Sequence, residues 1–438
     1  MLVKWLTAIL VGLLLAGCST TAAGDADREP TALDMLAREY VAMTLEIGER
    51  DEGYVDAYYG PPEYREAARA NPRSIAELAD VAERLHERLV VVDPDQLDPL
   101  SRRRHVSLIS QLVAARTRLR MLQGERLGFV EEAQGLYGVT PQLRPLTDFD
   151  PALARIDRLL PGSGPIIDRL ETFRNRFVIP ADRLDQVMRA AIAECRRRTV
   201  RHVDLPDGES FALEFVTDKS WSGYNWYQGN YHSLIQVNTD LPVRIDRAID
   251  LGCHEGYPGH HAFNALLEQK LARGRGWIEY MVYPLYSPQS FIAEGSANYG
   301  IKLAFPGSDR LEFETGTLYP LAGLPTDGAV EYLALQGALE ELASARFTIA
   351  RDYLEQRIDR ERAIALLQRY QLLPRARAEQ SLAFIDQYRS YVINYGLGAE
   401  MVGNFIEAQG RDQAVRWEAM ERLLSEPTTP GDLAPAAR

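Results

Sequence analysis

The chain has 438 residues, with 49 Lys and Arg against 62 Asp and Glu, and a formal net charge of −13 at pH 7. Its basic residues are scattered among acids, which argues against nucleic acid as a partner. The length allows one large core or two lobes, and three cysteines are too few for a disulfide framework.

The first segment reads as a targeting signal. Lys4 supplies a positive start, Ile9 to Leu15 a short apolar run, and Leu15-Ala16-Gly17-Cys18 a lipobox. That run is too short for a stable bilayer span. Residues 1–18 therefore resemble a bacterial lipoprotein signal, with Cys18 lipidated as the mature N-terminus. Ser19 follows it rather than Asp, which by analogy favours the periplasmic face of the outer membrane. Residues 19–30 are small and polar and read as a flexible tether, so the membrane is an expected partner through the lipid anchor alone. No second transmembrane candidate follows.

Residues 31–205 read as an N-terminal helical lobe. Ser74-Ile75-Ala76-Glu77 is a capping box that opens a helix to about Val92. Asp98 or Ser101 opens a long amphipathic helix that stops at Gly124. Asp150-Pro151 pairs an N-cap with a first-turn proline, and Ala181 to about His202 forms another helix. His86, His105 and His202 have no carboxylate or cysteine constellation around them in the sequence and read as structural or surface residues.

The texture changes in residues 206–438, the expected catalytic part of the same domain. Phe211, Leu213 and Phe215 alternate as in a half-buried strand. An aromatic and glycine-rich stretch from Trp221 to Tyr231 leads into a second strand, Ser233 to Thr239, beside which His232 reads as structural. Asp240-Leu241-Pro242 then begins a helix with Ile245 and Ile249 on one face. Tyr280, Tyr283 and Tyr286 lie in the segment after it and are expected to line a cleft. From Gly328 the chain reads helical again, through Asp359 to Tyr370 and Arg375 to Tyr395.

Three of the seven histidines fall within His254-Glu255-Gly256-Tyr257-Pro258-Gly259-His260-His261. A His-Glu pair followed closely by more histidine is how a helix builds a zinc site with its own general base. Here Pro258 stands where the second histidine of H-E-x-x-H belongs. In an unbroken helix His260 would lie about 240° around from His254, and His261 about 10.5 Å further along the axis. Pro258 lacks the amide that would bond the His254 carbonyl, and Gly256 and Gly259 loosen the backbone on either side. A kink or bulge is expected, turning His260 or His261 back toward His254. Glu294, among small residues in Ala293-Glu294-Gly295-Ser296-Ala297-Asn298-Tyr299, is the best third ligand. Cys195 and Cys253 could pair in an oxidising compartment, but Cys253 reads first as a small core residue.

HEGYPGHH followed by AEGSANY resembles the bacterial family called domain of unknown function 885. Its members carry HExxPGHH and then an E-G-[WS]-A-x-Y element, and they are regarded as relatives of helical zinc metallopeptidases. The resemblance implies His254 as first ligand, Glu255 as general base and Glu294 as third ligand. Aligning Gly259-His260 with the Gly-His of the oligopeptidase motif H-E-F-G-H makes His260 the second ligand, with His261 the alternate. After PGHH the family often has Leu-Gln, where this chain has Ala262-Phe263. Near the C-terminus the family's P-G-Q-A-x-x-Y-x-x-G keeps only Tyr395 and Gly398 here. These departures leave room for a divergent specificity or a weakened activity. Tyr395, being retained, is the first choice to stabilise an oxyanion; Tyr283, Tyr286 and Tyr299 are the others.

The fold expected is mainly α, a large zincin-like metallopeptidase fold with a small β-sheet before the active-site helix. The function expected is a lipid-anchored zinc hydrolase acting on peptides or peptide-like amides. The rivals are a non-catalytic lipoprotein on a degenerate peptidase fold and a zinc hydrolase of other amides or esters. No G-x-S-x-G, P-loop or dinucleotide fingerprint is present.

Overall fold

The structure is a computed structural model that describes residues 29–434. The lipobox, Cys18 and the tether up to residue 28 lie outside the described residues.

Side-chain caps set the early helices. Thr31 and Asp34 form a reciprocal capping box on Ala32–Gly48, and Ser74 and Glu77 form another on Ile75–Val90. The Asp98 carboxylate accepts from the Leu100 and Ser101 amides at the head of Pro99–Leu122. Losing such a cap typically costs about 1 kcal/mol. Leu78, Ala82, Leu85 and Leu89 form the buried stripe of Ile75–Val90, and burying each leucine contributes roughly 1.5–3 kcal/mol.

Boundaries depart from expectation where tertiary contacts intervene. Asp150 is the first residue of its helix, Asp150–Leu159, not its cap. Ala181–Arg183 is a tight 3-10 turn before the helix Leu184–Thr199. The helix expected to begin at Asp240 begins at Ile245, because the Asp240 carboxylate accepts from the Asp218 and Lys219 amides instead. The helix expected from Arg375 to Tyr395 is broken into Arg375–Tyr388 and Ile393–Ala408. At the break Arg389 takes a φ of 52°. Buried Glu132 holds it there, accepting from Arg389 Nε at 2.7 Å, Ser390 N at 3.1 Å and Ser390 Oγ at 2.6 Å.

Two small sheets complete the fold. Strands β1 (Val55–Tyr58) and β5 (Val282–Pro284) pair antiparallel. Strands β2 (Ser210–Val216), β3 (Gly223–Gly229) and β4 (His232–Asn238) form a sheet of order β2-β4-β3. The aromatic stretch is thus itself a strand, hairpinned to β4 through Asn230 and Tyr231, both at positive φ (53° and 58°) as a two-residue type I′ turn requires. β2 runs parallel to β4 and β3 antiparallel to it, so β3 is an edge strand.

One buried core runs from Leu33 to Leu433 across both halves of the chain. In it the helices Pro288–Ala304 and Ile393–Ala408 cross in close contact. A Cβ at Gly295 would lie 2.6 Å from the carbonyl carbon and oxygen of Gly398, so the crossing needs glycine on both sides. Among the described residues, no helix is long and apolar enough to cross a membrane.

Candidate metal centre

The His-Glu pair sits in a widened turn of π type, Gly252–Gly256, that continues the helix Ile245–Leu251. Tyr257 is extended, the Tyr257–Pro258 peptide is cis, and a new helix starts at His260. The two segments are pressed together at Gly259. Its amide donates to the Cys253 carbonyl at 3.1 Å, and a Cβ there would lie 1.8 Å from the His254 carbonyl oxygen. Only a bare backbone fits. The result is that His260 turns back onto His254, with their Nε2 atoms 3.1 Å apart and their rings nearly perpendicular at 88°.

Glu294, on the helix Pro288–Ala304, closes the triangle. Its Oε2 lies 3.2 Å from His254 Nε2 and 3.7 Å from His260 Nε2. It is buried there and takes no hydrogen bond of acceptable geometry. Its Oε1 accepts from the Tyr391 hydroxyl at 2.8 Å, which aims the orphan oxygen at the imidazoles. Tetrahedral zinc with bonds near 2.0–2.1 Å spaces its ligand atoms about 3.3–3.4 Å apart. Two imidazole nitrogens and a carboxylate oxygen at 3.1, 3.2 and 3.7 Å fit that ion in both spacing and donor type. A carboxylate oxygen of Glu255 also falls within 4.8 Å of both nitrogens. Glu294, at 3.2 and 3.7 Å, is the carboxylate in ion-pair contact with both imidazoles.

The electrostatics describe a place for positive charge. Burial opposes ionisation of Glu294, but His260 and His254 overcome it and hold its carboxyl well below the usual range. Burial also opposes charge on His254, and Glu255 and Glu294 together outweigh it, raising its pKa to about 9. Glu255 goes the other way: burial raises its pKa against the pull of both histidines, with Glu294 adding to the rise. A carboxylate of raised basicity next to an ionised one is the division of labour expected of a base beside a ligand.

Three residues around this group carried no role in the sequence reading. Asn298 lies one helical turn after Glu294, and its Oδ1 accepts from His254 Nδ1 at 3.1 Å. The Asn298 amide donates to the Tyr395 carbonyl at 3.2 Å, which settles its orientation and leaves His254 Nε2 to face the centre. The (i, i+4) spacing from Glu294 was the available signal. Tyr391 stands in the same relation to Tyr395. Asp56, on β1, accepts from the Tyr224 hydroxyl at 2.8 Å; burial raises its pKa to about 6, with Tyr224 and His260 opposing and Glu294 and Glu255 adding. Nothing in the local sequence marked it.

A cleft of about 890 Å³ opens over the group, lined by His254, Glu255, Asn298, Tyr299 and Tyr395 among others. The Tyr395 ring lies nearly parallel to His254, centroids 6.3 Å apart. The phenols expected to line the cleft do not: Tyr280, Tyr283 and Tyr286 are buried, and Tyr286 packs under the Arg118 guanidinium. Tyr299 donates to Glu407 at 3.3 Å. The aromatic lining comes instead from Trp221, Tyr299, Phe347, Phe384 and Tyr395.

The alternate ligand, His261, is not brought to the centre. Successive residues at a helix start diverge by about 100°, and His261 points the other way. Its Nδ1 meets Ser233 Oγ at 2.8 Å and its Nε2 meets Glu209 Oε2 at 2.9 Å. Tyr257 and Arg196 also bond Glu209, so His261 ties the new helix to β4 and to the segment before β2. The other four histidines lie elsewhere: His86 is on the helix Ile75–Val90, His105 bonds the Leu89 carbonyl, His202 stacks on Trp417 and His232 meets Ser210. Cys253 is not a free core thiol. It is bonded to Cys195, 58 residues away, which pins the His254 turn to the helix Leu184–Thr199. Closing a loop of that length corresponds to about 4 kcal/mol in the chain-entropy account.

No family model matches the chain, and no curated protein does, so the likeness to domain of unknown function 885 rests on the two motifs. The structure resembles that of a candidate lipoprotein from Colwellia psychrerythraea, with a TM-score of 0.51 and 15% identity over 81% of this chain. The chain spans 65% of that protein's length. A candidate lipoprotein of unknown function from Shewanella oneidensis matches with a TM-score of 0.44 and 13% identity, over 85% of this chain and 75% of that one. The M32 carboxypeptidase from Deinococcus radiodurans R1 matches with a TM-score of 0.32 and 14% identity, over 92% of each. What the Colwellia structure shows is a shared α-rich fold.

Proposed function

We propose that the chain is a zinc-dependent hydrolase, a peptidase of zincin-like fold, held by lipid at the periplasmic face of a bacterial outer membrane. The observation that carries this reading is the convergence of His254 Nε2, His260 Nε2 and the orphan Glu294 Oε2 beside Glu255. Zinc held by those three residues would polarise a scissile carbonyl and acidify the attacking water. Glu255 takes the water's proton and passes it to the leaving amine, a role its raised basicity suits. Tyr395, which lines the same cleft as Glu255, donates to the developing oxyanion. Tyr391 and Asn298 position Glu294 and His254 and do not touch substrate.

A peptide fits the surroundings. Trp221, Ser222 and Gly223, at the start of edge strand β3, line the cleft, and an edge strand can pair with an extended chain. The cleft volume lies in the range of roughly 300–1,000 Å³ typical of sites for small ligands. The lipobox at Cys18 and the Cys195–Cys253 bond both suit an oxidising envelope.

The test uses zinc content and turnover of N-blocked peptides, measured on the same preparations. Glu255→Gln should keep stoichiometric zinc and lose about 10²–10⁴-fold in turnover. Glu294→Gln should lose zinc affinity as well. Undiminished turnover by Glu255→Gln would rule the mechanism out. Zinc without turnover on peptides by the wild type would favour the binding-protein reading, and turnover on esters alone the non-peptide one.

A further inference from the structure

The cleft that His254 and Glu255 line also contains two guanidinium groups that the hydrolytic reading leaves idle. Other cations in the wall have carboxylate partners. Arg310 pairs with Asp250 and Glu314, Arg247 with Asp250, and Lys302 with Glu340. Arg346 and Arg377 have none among the described residues. Arg346 lines the cleft at the start of the helix Ala345–Leu354. Of its five donors, its only hydrogen bond among the described residues is a long one, 3.4 Å to the Ser381 carbonyl. Its Nε is buried and unpartnered, and its guanidinium lies 5.1 Å over the Phe384 ring. Arg377 lines the same cleft one helical turn before Ser381.

An arginine stacked on an aromatic ring, with its fork unfilled, is a preorganised receptor for a planar anion. The cost of leaving it empty is visible: burial, only partly countered by the Tyr395 phenol, pulls the pKa of Arg346 down to about 10. Burial and the neighbouring Arg244 and Arg174 do the same to Arg377. The field of Arg346 reaches Tyr395, the residue stacked toward His254. The receptor and the metal group thus face the same stretch of cleft.

Resting on the peptidase reading above, we propose that Arg346 binds a substrate carboxylate, so that the substrate class is peptides presenting a carboxylate near the scissile bond. Two sources have this chemistry: the terminal carboxylate of a peptide, which would make the enzyme an exopeptidase acting at C-termini, and an acidic side chain.

The probes are N-acetylated tripeptides in three forms: neutral side chains with a free terminal carboxylate, neutral side chains with a terminal amide, and an aspartate or glutamate side chain with a terminal amide. Binding is measured by calorimetry on zinc-loaded Glu255→Gln protein, and turnover on the wild type. The free acid should bind roughly 10- to 100-fold more tightly than the neutral amide. The preference should collapse in Arg346→Gln and return in part in Arg346→Lys. The wild-type comparison of turnover on acid and amide needs no arginine variant, so misfolding of one would not obscure the answer. Equal binding or turnover of all three forms, or a preference kept by Arg346→Gln, would overturn the proposal. Preference for the acidic side-chain amide over the free acid would keep the carboxylate site and eliminate the terminal source. Selective binding without wild-type turnover would remove the peptidase reading and leave the carboxylate site standing, whereas turnover indifferent to the carboxylate would do the opposite.

Discussion

Replacing Gly259 with alanine tests whether the turn at Pro258 builds the metal group. The new Cβ would lie 1.8 Å from the His254 oxygen, 2.5 Å from the His254 carbonyl carbon and 2.5 Å from the Cys253 oxygen. Carbon and oxygen atoms in favourable non-bonded contact stay about 3.3–3.6 Å apart, so the closest gap must open by roughly 1.5 Å. All three clashing atoms are backbone, and no rotamer change relieves them. Either the His254 turn or the head of the His260 helix must move, and these carry the two imidazoles now 3.1 Å apart. Overpacking of this kind costs about 1–3 kcal/mol, and losing the Gly259 amide bond to Cys253 adds about 1 kcal/mol. The expected loss is about 2–4 kcal/mol of folding stability, with zinc affinity lowered as the ligand triangle opens. Denaturant unfolding with a check on the slope measures the first, and competition with a chelator the second. Gly337→Ala is the control: nothing lies within 4 Å of its Cβ position in the helix Ala329–Glu340, so it should stabilise by about 0.4–1 kcal/mol. Wild-type stability in Gly259→Ala would refute the steric argument. Lost stability with unchanged zinc affinity would refute the link between the turn and the metal group.

Asn298→Ala removes the acceptor for His254 Nδ1 while replacing none of the proposed ligands; zinc affinity should fall about 10–100-fold, read by chelator competition, while the helical circular-dichroism signal stays unchanged. Glu209→Gln tests the network that fixes His261. Burial opposes ionisation of Glu209, but His261, Tyr257 and Arg196 outweigh it and lower its pKa to about 2. With the folded value below the unfolded one, the stabilisation is complete above about pH 5 and is lost as pH falls toward 2. The variant should therefore be less stable than wild type by about 1–3 kcal/mol near neutrality, and the difference should close in acid. Urea midpoints across that range check the sign, and a gap that widens in acid would contradict it.

Much of the fold was legible because it is local. Ser74 with Glu77, and Asp98 before Pro99, mark helix starts through bonds spanning three residues. The alternation of Phe211, Leu213 and Phe215 marks a strand because side chains in an extended chain point to opposite faces. The His254-Glu255 pair and the proline at 258 likewise announce that an ordinary helical zinc motif cannot form without a break. The break of the expected helix at Arg389 was not legible, since Glu132, which holds it open, lies far away in the chain.

Around the centre the division is sharper. Sequence by itself determined which residue types stood close along the chain: two adjacent histidines past a proline, and a glutamate among small residues one turn before Asn298. It also determined that position 259 carries no side chain. Only the tertiary structure decided that His260 faces His254 while His261 joins Glu209, that Tyr391 aims Glu294, and that Cys253 pairs with Cys195. It alone left Arg346 without a carboxylate partner among the described residues. Backbone periodicity sets the angle between residues of one element, but the partner of each side chain depends on how separate elements pack, and that packing is settled by the whole core at once.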